Sequence, residues 1–387
     1  MRRVLTILTA ILLLVVSLGI GVFTADLPFW QRALQLPLPA GEVYLPAASI
    51  GAEAQPLAGA PANSAAFDAL VIEEAANRAR GAGSRALLVL HEGRLVIERY
   101  FVADDADSLL PATVIARPLV AMAAGVALAD GKIKSLDAPV ASLLHEWDDE
   151  PRGRITLRQL LEETSGLDDG GAIAGLLYRS PWQDLAAVPR FATARGVRML
   201  LGNDYESSAL SFRLSHESGG FYNVSPANTQ LAAVLLERAT GVPYENFLDT
   251  RLWRPAGAGA ARLQLDRRAG MPAAHCCWLA SARDMLRIAA LLATDGKVGE
   301  RQVLPAGWVA EMAKPSRVNA ETGLQLRRLK IENEDALSAN DDQGSAFWVI
   351  PSRQLVVLDV ATHGAQPLDE VPALVVRALT GAPTQSK

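Results

Sequence analysis

Two hairpin-like segments near opposite ends of the chain set the strongest limit on how it folds. Ala86–Phe101, ALLVLHEGRLVIERYF, places two apolar runs either side of a polar turn at His91-Glu92-Gly93. Ser345–Ala361, SAFWVIPSRQLVVLDVA, does the same around Pro351-Ser352-Arg353. Helical patterns lie outside and between them. Phe67–Arg80 carries apolar residues at helical spacing (Phe67, Leu70, Val71, Ala75), Thr113–Ile133 is helix-like, and Pro372–Leu379 reads as a closing helix. Strands near both ends with helices between them predict an α/β chain of the α+β type. An antiparallel sheet is flanked by N- and C-terminal helices and carries an inserted helical subdomain. The two hairpins are expected to share that sheet.

The 387 residues allow one large or two modest domains, and half of them are hydrophobic, which suits an ample core rather than disorder. Formal charge is -5, with no basic cluster, so nucleic acid is not an expected partner. The chain begins Met-Arg-Arg and continues with an uncharged run from Val4 to Ala25, long enough to span a bilayer at about 20 residues. The positive flank predicts that Arg2 and Arg3 stay cytoplasmic while the bulk is exported. Ala25 would suit a signal-peptide cut but Phe23 would not, so residues 1–25 read as an uncleaved anchor; a cleaved segment would give a secreted protein. The expected location is the inner membrane, with the domain in the periplasm. Residues 26–64, rich in Pro, Ala and Gly, read as a linker that lifts the domain off the membrane, and 65–382 as the domain.

Cys276 and Cys277 are the only cysteines and are adjacent. Across a trans peptide their Cα atoms stand about 3.8 Å apart, below the usual disulfide range of roughly 4.4–6.8 Å. They are expected to be small thiols in a packed loop. With only His275 beside them, no metal site is expected.

Several motifs resemble the serine β-lactamases, penicillin-binding peptidases and related esterases. Thr113–Ile133 ends in Asp130-Gly131-Lys132-Ile133, like the first active-site helix of that family. Arg154–Leu167, RITLRQLLEETSGL, resembles its short helix and Thr-Ser-Gly-Leu. Gly241–Ala256 resembles its helix into a Trp-x-Pro turn, and Ala280–Gly296 its Ala-x-Ala-Arg-Asp helix. The resemblance covers roughly Phe67 to Leu379. It implies a β-lactamase/transpeptidase-like fold, no cofactor, and three catalytic stations round one cleft: a Ser-x-x-Lys helix, a Tyr-x-Asn loop and a Lys/His-x-Gly strand.

All three stations are altered. With Asp130, Gly131 and Pro118 in register, Val114 takes the Ser position and Arg117 the Lys position. Valine has no nucleophilic atom, and arginine stays protonated, so it cannot activate a hydroxyl. Thr113 is one residue off, turned about 100° away, and is expected to cap the helix. At the second station Gly219, Asn228, Gln230 and Leu231 fit, but Val224 replaces Tyr and Pro226 replaces Asn. Tyr222-Asn223 would serve only after a two-residue insertion. At the third, Gly344 is kept, while Asp341 and Ser345 replace Gly and Gln in Asp341-Asp342-Gln343-Gly344-Ser345. No basic residue in Asn340-Asp341-Asp342 could hold a substrate carboxylate. Tyr222, Asn223, Asn340, Asp342 and Ser345 remain as candidate cleft residues. Arg117, near a helix start, needs acceptors, and Asp341 or Asp342 is expected to pair with it.

Other chemistry is thinner. Ser165 reads as a structural residue, and His145, His216 and His275 as surface or packing residues. No His-x-x-x-His pair or phosphate-cradling Gly-rich loop occurs. The expectation is a membrane-anchored, extracytoplasmic member of this resemblance group without acyl transfer, binding a ligand or an envelope protein. Two alternatives stay open: an active esterase, amidase or peptidase with a relocated nucleophile, and a purely structural envelope protein.

Overall fold

The computed structural model describes residues 17, 26–36, 46–59, 67–168, 194–361 and 369–380. The expected anchor, apart from Ser17, therefore lies outside the described residues. The linker expected over 26–64 contains helix α1 (Leu27–Ala33) and strands β1 (Ala47–Ile50) and β2 (Ala58–Gly59). The domain proper opens with α2 (Ala69–Gly81), β3 (Ser84–His91), β4 (Arg94–Tyr100), β5 (Leu110–Pro111) and α3 (Thr113–Ala129). The helical part follows as α4 (Leu157–Leu161), α5 (Arg195–Leu201), α6 (Tyr205–Leu210), α7 (Pro226–Thr240) and α8 (Tyr244–Leu248). Then come β6 (Ala261–Gln264), β7 (Trp278–Ala280), α9 (Ala282–Ala293), β8 (Lys297–Val298), β9 (Arg301–Gln302) and α10 (Trp308–Met312). The chain closes with β10 (Arg327–Ile331), β11 (Glu334–Asn340), β12 (Ala346–Ile350), β13 (Leu355–Ala361) and α11 (Glu370–Thr380).

The two hairpins do share one sheet, of order β10-β11-β12-β13-β3-β4-β2. β13 joins them by antiparallel pairing to β3, with Val357 opposite Val89 and Leu355 opposite His91. β3 is apolar on both faces because both are covered. Leu87 and Val89 face a cluster containing Ile72 and Ala76 of α2 and Val371 and Val375 of α11. Ala86, Leu88 and Leu90 face the larger cluster with α3 and α9. Period-two alternation thus sorts one strand's side chains between two cores. The first hairpin turns through Glu92 and Gly93, both with positive φ (49° and 74°), the pattern of a tight primed turn.

α3 is hydrophobic all round and buried nearly throughout, as a helix inside a core must be. Its N-cap is Ala112, without a side-chain cap bond. Thr113 is already the first helical residue, so the expected Thr113 cap does not form. Farther along, the indole of Trp308 lies across α3 and donates to the Ala121 carbonyl at 3.1 Å. A Cβ built on Gly125 would come within 2.3 Å of that ring, so only glycine lets α10 approach.

α1 is no free linker. Phe29, Trp30, Ala33 and Leu36 pack against Val197, Leu200 and Leu201 of α5. The buried Arg32 guanidinium donates to the carbonyls of Gly202 (2.6 Å), Leu265 (2.9 Å) and Asp266 (2.7 Å). β1 pairs antiparallel with β6 in a second sheet, β1-β6-β7-β5.

The cysteines also depart from expectation. Cys276 and Cys277 are joined as a disulfide at a Cα separation of 3.8 Å. The Cα criterion failed because Cys277 adopts φ 66°, a left-handed turn that brings adjacent side chains together.

Asp359, on β13, is buried with one carboxylate oxygen unpartnered. Burial lifts its pKa from 3.8 to about 6, partly offset by the Ser84 hydroxyl. The folded state therefore holds this proton more tightly than the unfolded one, and stability falls as pH rises from about 4 through 6. At ~1.4 kcal/mol per unit, the penalty at neutral pH is about 3 kcal/mol. Asp359→Asn should flatten the stability–pH curve over that window and raise stability at pH 7.5 in urea titrations. A curve parallel to wild type would show that Asp359 is not the group responsible.

Candidate functional site

Around Arg117, near the start of α3, lies a polar network absent from the sequence expectations, and it takes in Ser225 and Asn228 beside the second station. Val114 is in the main core, 1% exposed. One turn on, the Arg117 guanidinium donates from Nε to Gln325 Oε1 and through a terminal nitrogen to Glu163 Oε1, each at 2.9 Å. Gln325 Nε2 donates to the same Glu163 oxygen at 3.0 Å and to the Leu160 carbonyl at 3.3 Å. The other Glu163 oxygen accepts from the Asn228 side chain and from the Ser225 amide. Asn228 in turn accepts from the Ser165 hydroxyl at 2.5 Å.

Local structure delivers each member. α4 opens with a capping box: Thr156 accepts from the Gln159 amide, and the Gln159 side chain accepts from the Thr156 amide. It ends after barely more than one turn, and Glu163 takes φ 57°, which turns its carboxylate inward. Gln325 also has positive φ, 57°, between the buried Leu324 and Leu326, and its amide donates to the Leu161 carbonyl at 2.8 Å. The lead-in to β10 is thus tied to α4, and it places Gln325 beside Arg117. α7 is capped by Ser225 with Pro226 at its first position, where no amide proton is needed. Asn228 follows one turn in, fully buried.

The carboxylate partner of Arg117 is therefore Glu163, not Asp341 or Asp342 as expected. Asp341 is occupied by its own turn, where Oδ1 accepts from the Gln343 and Ser345 amides at 3.0 Å each. This is the Asx habit of satisfying local N–H groups. Burial, followed by the nearby Asp342 charge, raises the Asp341 pKa to about 7 against these backbone bonds. Asp342 is exposed in the same turn.

The remaining candidates scatter. Ser345 is buried, its hydroxyl accepting from the Ala361 amide at 3.1 Å. Asn340 ends β11 opposite Ala346. Asn223 donates from its backbone to the Glu163 carbonyl at 2.8 Å and from its side chain to Leu167 at 3.2 Å, so it shapes the loop. Val224 is 44% exposed and offers no proton-transfer group. Tyr222 is half-buried beside Arg117; burial raises its pKa, and the guanidinium charge opposes that. Ser165 Oγ also accepts from the Leu167 amide at 3.1 Å, which fixes it as a structural residue. Sequence reasoning missed Glu163 and Gln325. The available signal for Glu163 was an acidic residue directly ahead of Thr164-Ser165-Gly166-Leu167; Gln325 had none.

A groove of about 600 Å³ runs from Tyr222 along β10. Tyr222, Glu321, Arg327, Arg328, Lys330 and Asp369 line it with both signs of charge. Among the described residues, no cluster of His, Cys, Asp or Glu could hold a metal ion.

The family model for Beta-lactamase matches residues 67–380, from the start of the domain to its closing helix. The chain belongs to the β-lactamase family, whose members are serine hydrolases. Solved structures agree on the fold. A putative 6-aminohexanoate-dimer hydrolase from Bacillus anthracis superposes with TM-score 0.67 at 17% identity, covering 87% of this chain and 89% of that one. A putative β-lactamase from Bacteroides dorei gives 0.65 at 17%, over 81% and 99%. A D-stereospecific amidohydrolase from Streptomyces gives 0.57 at 18%, over 82% and 100%. No curated protein matches the chain.

Breaking the pair should be costly. Glu163 is 3% exposed, so Arg117→Met should cost about 3 kcal/mol by leaving a buried carboxylate without its cation. Adding Glu163→Gln should restore most of that in urea unfolding. A loss below about 1 kcal/mol for Arg117→Met would reduce the pair to a surface contact.

Proposed function

We propose that this chain is a non-catalytic member of the β-lactamase family that binds a ligand or an envelope protein. The observation that carries the proposal is an Arg117 committed to Glu163 and Gln325, with Val114 buried one turn before it, at the positions where the motif resemblance puts base and nucleophile. An acyl-transfer serine needs a hydroxyl at the helix start and a partner able to take its proton. Val114 supplies no hydroxyl, and Arg117 cannot take a proton. Val224 and Pro226 add no phenol and no amide donor at the second station. Ser165, the serine of the surrounding network, has its hydroxyl engaged by Asn228 and Leu167.

Binding would take place at the groove that runs from Tyr222. There β10 is the outermost strand of its sheet; its Arg328 amide already donates to the Glu321 carbonyl, and the part of the edge beyond it would offer backbone groups to an extended partner. We place the domain in the periplasm, held to the inner membrane by residues 1–25. That placement rests on Arg2, Arg3 and the uncharged run behind them. No helix among the described residues is long and apolar enough to cross a membrane.

Labelling decides between this proposal and a relocated nucleophile. Neither a fluorophosphonate nor a fluorescent penicillin should form an adduct with the wild-type protein by intact-mass spectrometry. A stoichiometric adduct on any serine or threonine near Val114 would overturn the proposal. The Val114→Ser, Arg117→Lys variant should also turn over poorly. Glu163 would hold the new lysine as an ammonium ion, and missing acid–base groups cost about 10²–10⁴-fold. Robust ester hydrolysis by that variant would show that the second station lies elsewhere in the chain.

A further inference from the structure

The Cys276–Cys277 bridge stands apart from the Arg117 network, on the strap that leads into β7. A bond between neighbouring residues closes almost no loop, so it removes little entropy from the unfolded chain and adds little stability in that way. The bond needs the left-handed turn at Cys277, a conformation that a reduced pair has no need to hold. Both cysteines are partly exposed, which leaves an approach for an attacking thiolate. Inwardly, they pack on the cluster formed by α1 and α5, containing Phe29, Trp30 and Leu200.

Hydrogen bonds carry the strap's position to the seat of α1. The Gln264 amide donates to the Cys277 carbonyl at 3.1 Å. The Gln264 side chain donates to Leu200 at 2.8 Å and to the Tyr205 hydroxyl at 2.5 Å. The next two residues, Leu265 and Asp266, supply two of the carbonyls that hold Arg32, the other named above being Gly202. Bridge, β6 and the Arg32 seat therefore form one connected unit.

We propose that Cys276–Cys277 is a redox site whose reduction by a protein dithiol loosens α1 from the domain. The donor's thiolate attacks one sulfur of the bridge, the S–S bond breaks, and a mixed disulfide forms. The donor's second thiol then displaces the chain's cysteine. Two electrons and two protons end on Cys276 and Cys277, and the donor leaves as a disulfide. His275, held neutral by burial with its pKa lowered to about 4, puts no positive charge beside the pair. Release of the turn at Cys277 then disturbs the Gln264 bond and the carbonyls that seat Arg32. Because α1 follows the expected anchor, loosening it would lengthen the tether to the membrane. That consequence rests on the anchoring proposal; the redox site itself does not.

The test uses the purified full chain, with and without dithiothreitol, read by iodoacetamide labelling and hydrogen–deuterium exchange. Without reductant, peptides spanning Cys276 and Cys277 should remain unlabelled. With dithiothreitol, both cysteines should be alkylated while β12 and β13 keep their protection. Amides of residues 27–36 should then exchange about ten-fold faster. The Cys276→Ser, Cys277→Ser variant should show the fast exchange in either condition. Three results would overturn the proposal: labelling before reductant is added, resistance to dithiothreitol until the whole fold melts, or unchanged exchange at residues 27–36 after complete reduction.

Discussion

A carboxylate buried to 3% exposure, Glu163, needs a cation and several donors, and the middle of this molecule is built around meeting that need. Arg117 arrives from α3, Gln325 from the approach to β10, and Asn228 and the Ser225 amide from the start of α7. Three segments distant in sequence thus converge on one side chain. Removing any of them exposes a charge or an orphaned amide to an apolar surrounding.

The shape of the scaffold does not depend on this polar network. The seven-stranded sheet is set by β3 and β13, each apolar on both faces, and α3 is fixed against the core along most of its length. Pro118 sits inside α3, where it removes one helical hydrogen bond, yet the helix persists because packing rather than propensity holds it. A core of this kind accepts valine at position 114 readily. An arginine at 117 it accepts because Glu163 and Gln325 are in place to bond it.

Much of the fold was legible from local pattern. The alternation in Leu87-Leu88-Val89 and the apolar run around Trp348 mark strands buried on both sides, and their pairing follows from the hairpins at either end. Motif register placed Val114 and Arg117 on the helix where they are found, whereas Pro226, read as part of a loop, opens α7. What escaped was set by tertiary approach. Gln325 lies in an unremarkable Leu-Gln-Leu stretch, and only the left-handed backbone there turns it inward. Asp341 looked available to Arg117, yet its own turn's amides claimed it first. The cysteine bridge was missed because a distance rule for ordinary disulfides says little about a turn that folds neighbours together. Arg32 gave no hint of burial, since its acceptors are backbone carbonyls that no sequence displays.

The central claim, that Arg117 is committed to Glu163 and Gln325 rather than waiting in an open cleft, can be read directly from its Nε–H proton. In ¹⁵N-edited NMR, assigned by the loss of one resonance in Arg117→Lys, that proton should exchange slowly with water. It should remain visible at neutral pH and sharpen no further when the fluorophosphonate or penicillin is added. An Nε–H of Arg117 that exchanges as fast as those of the exposed arginines would contradict the account, because it would mean that the cleft stands open to solvent.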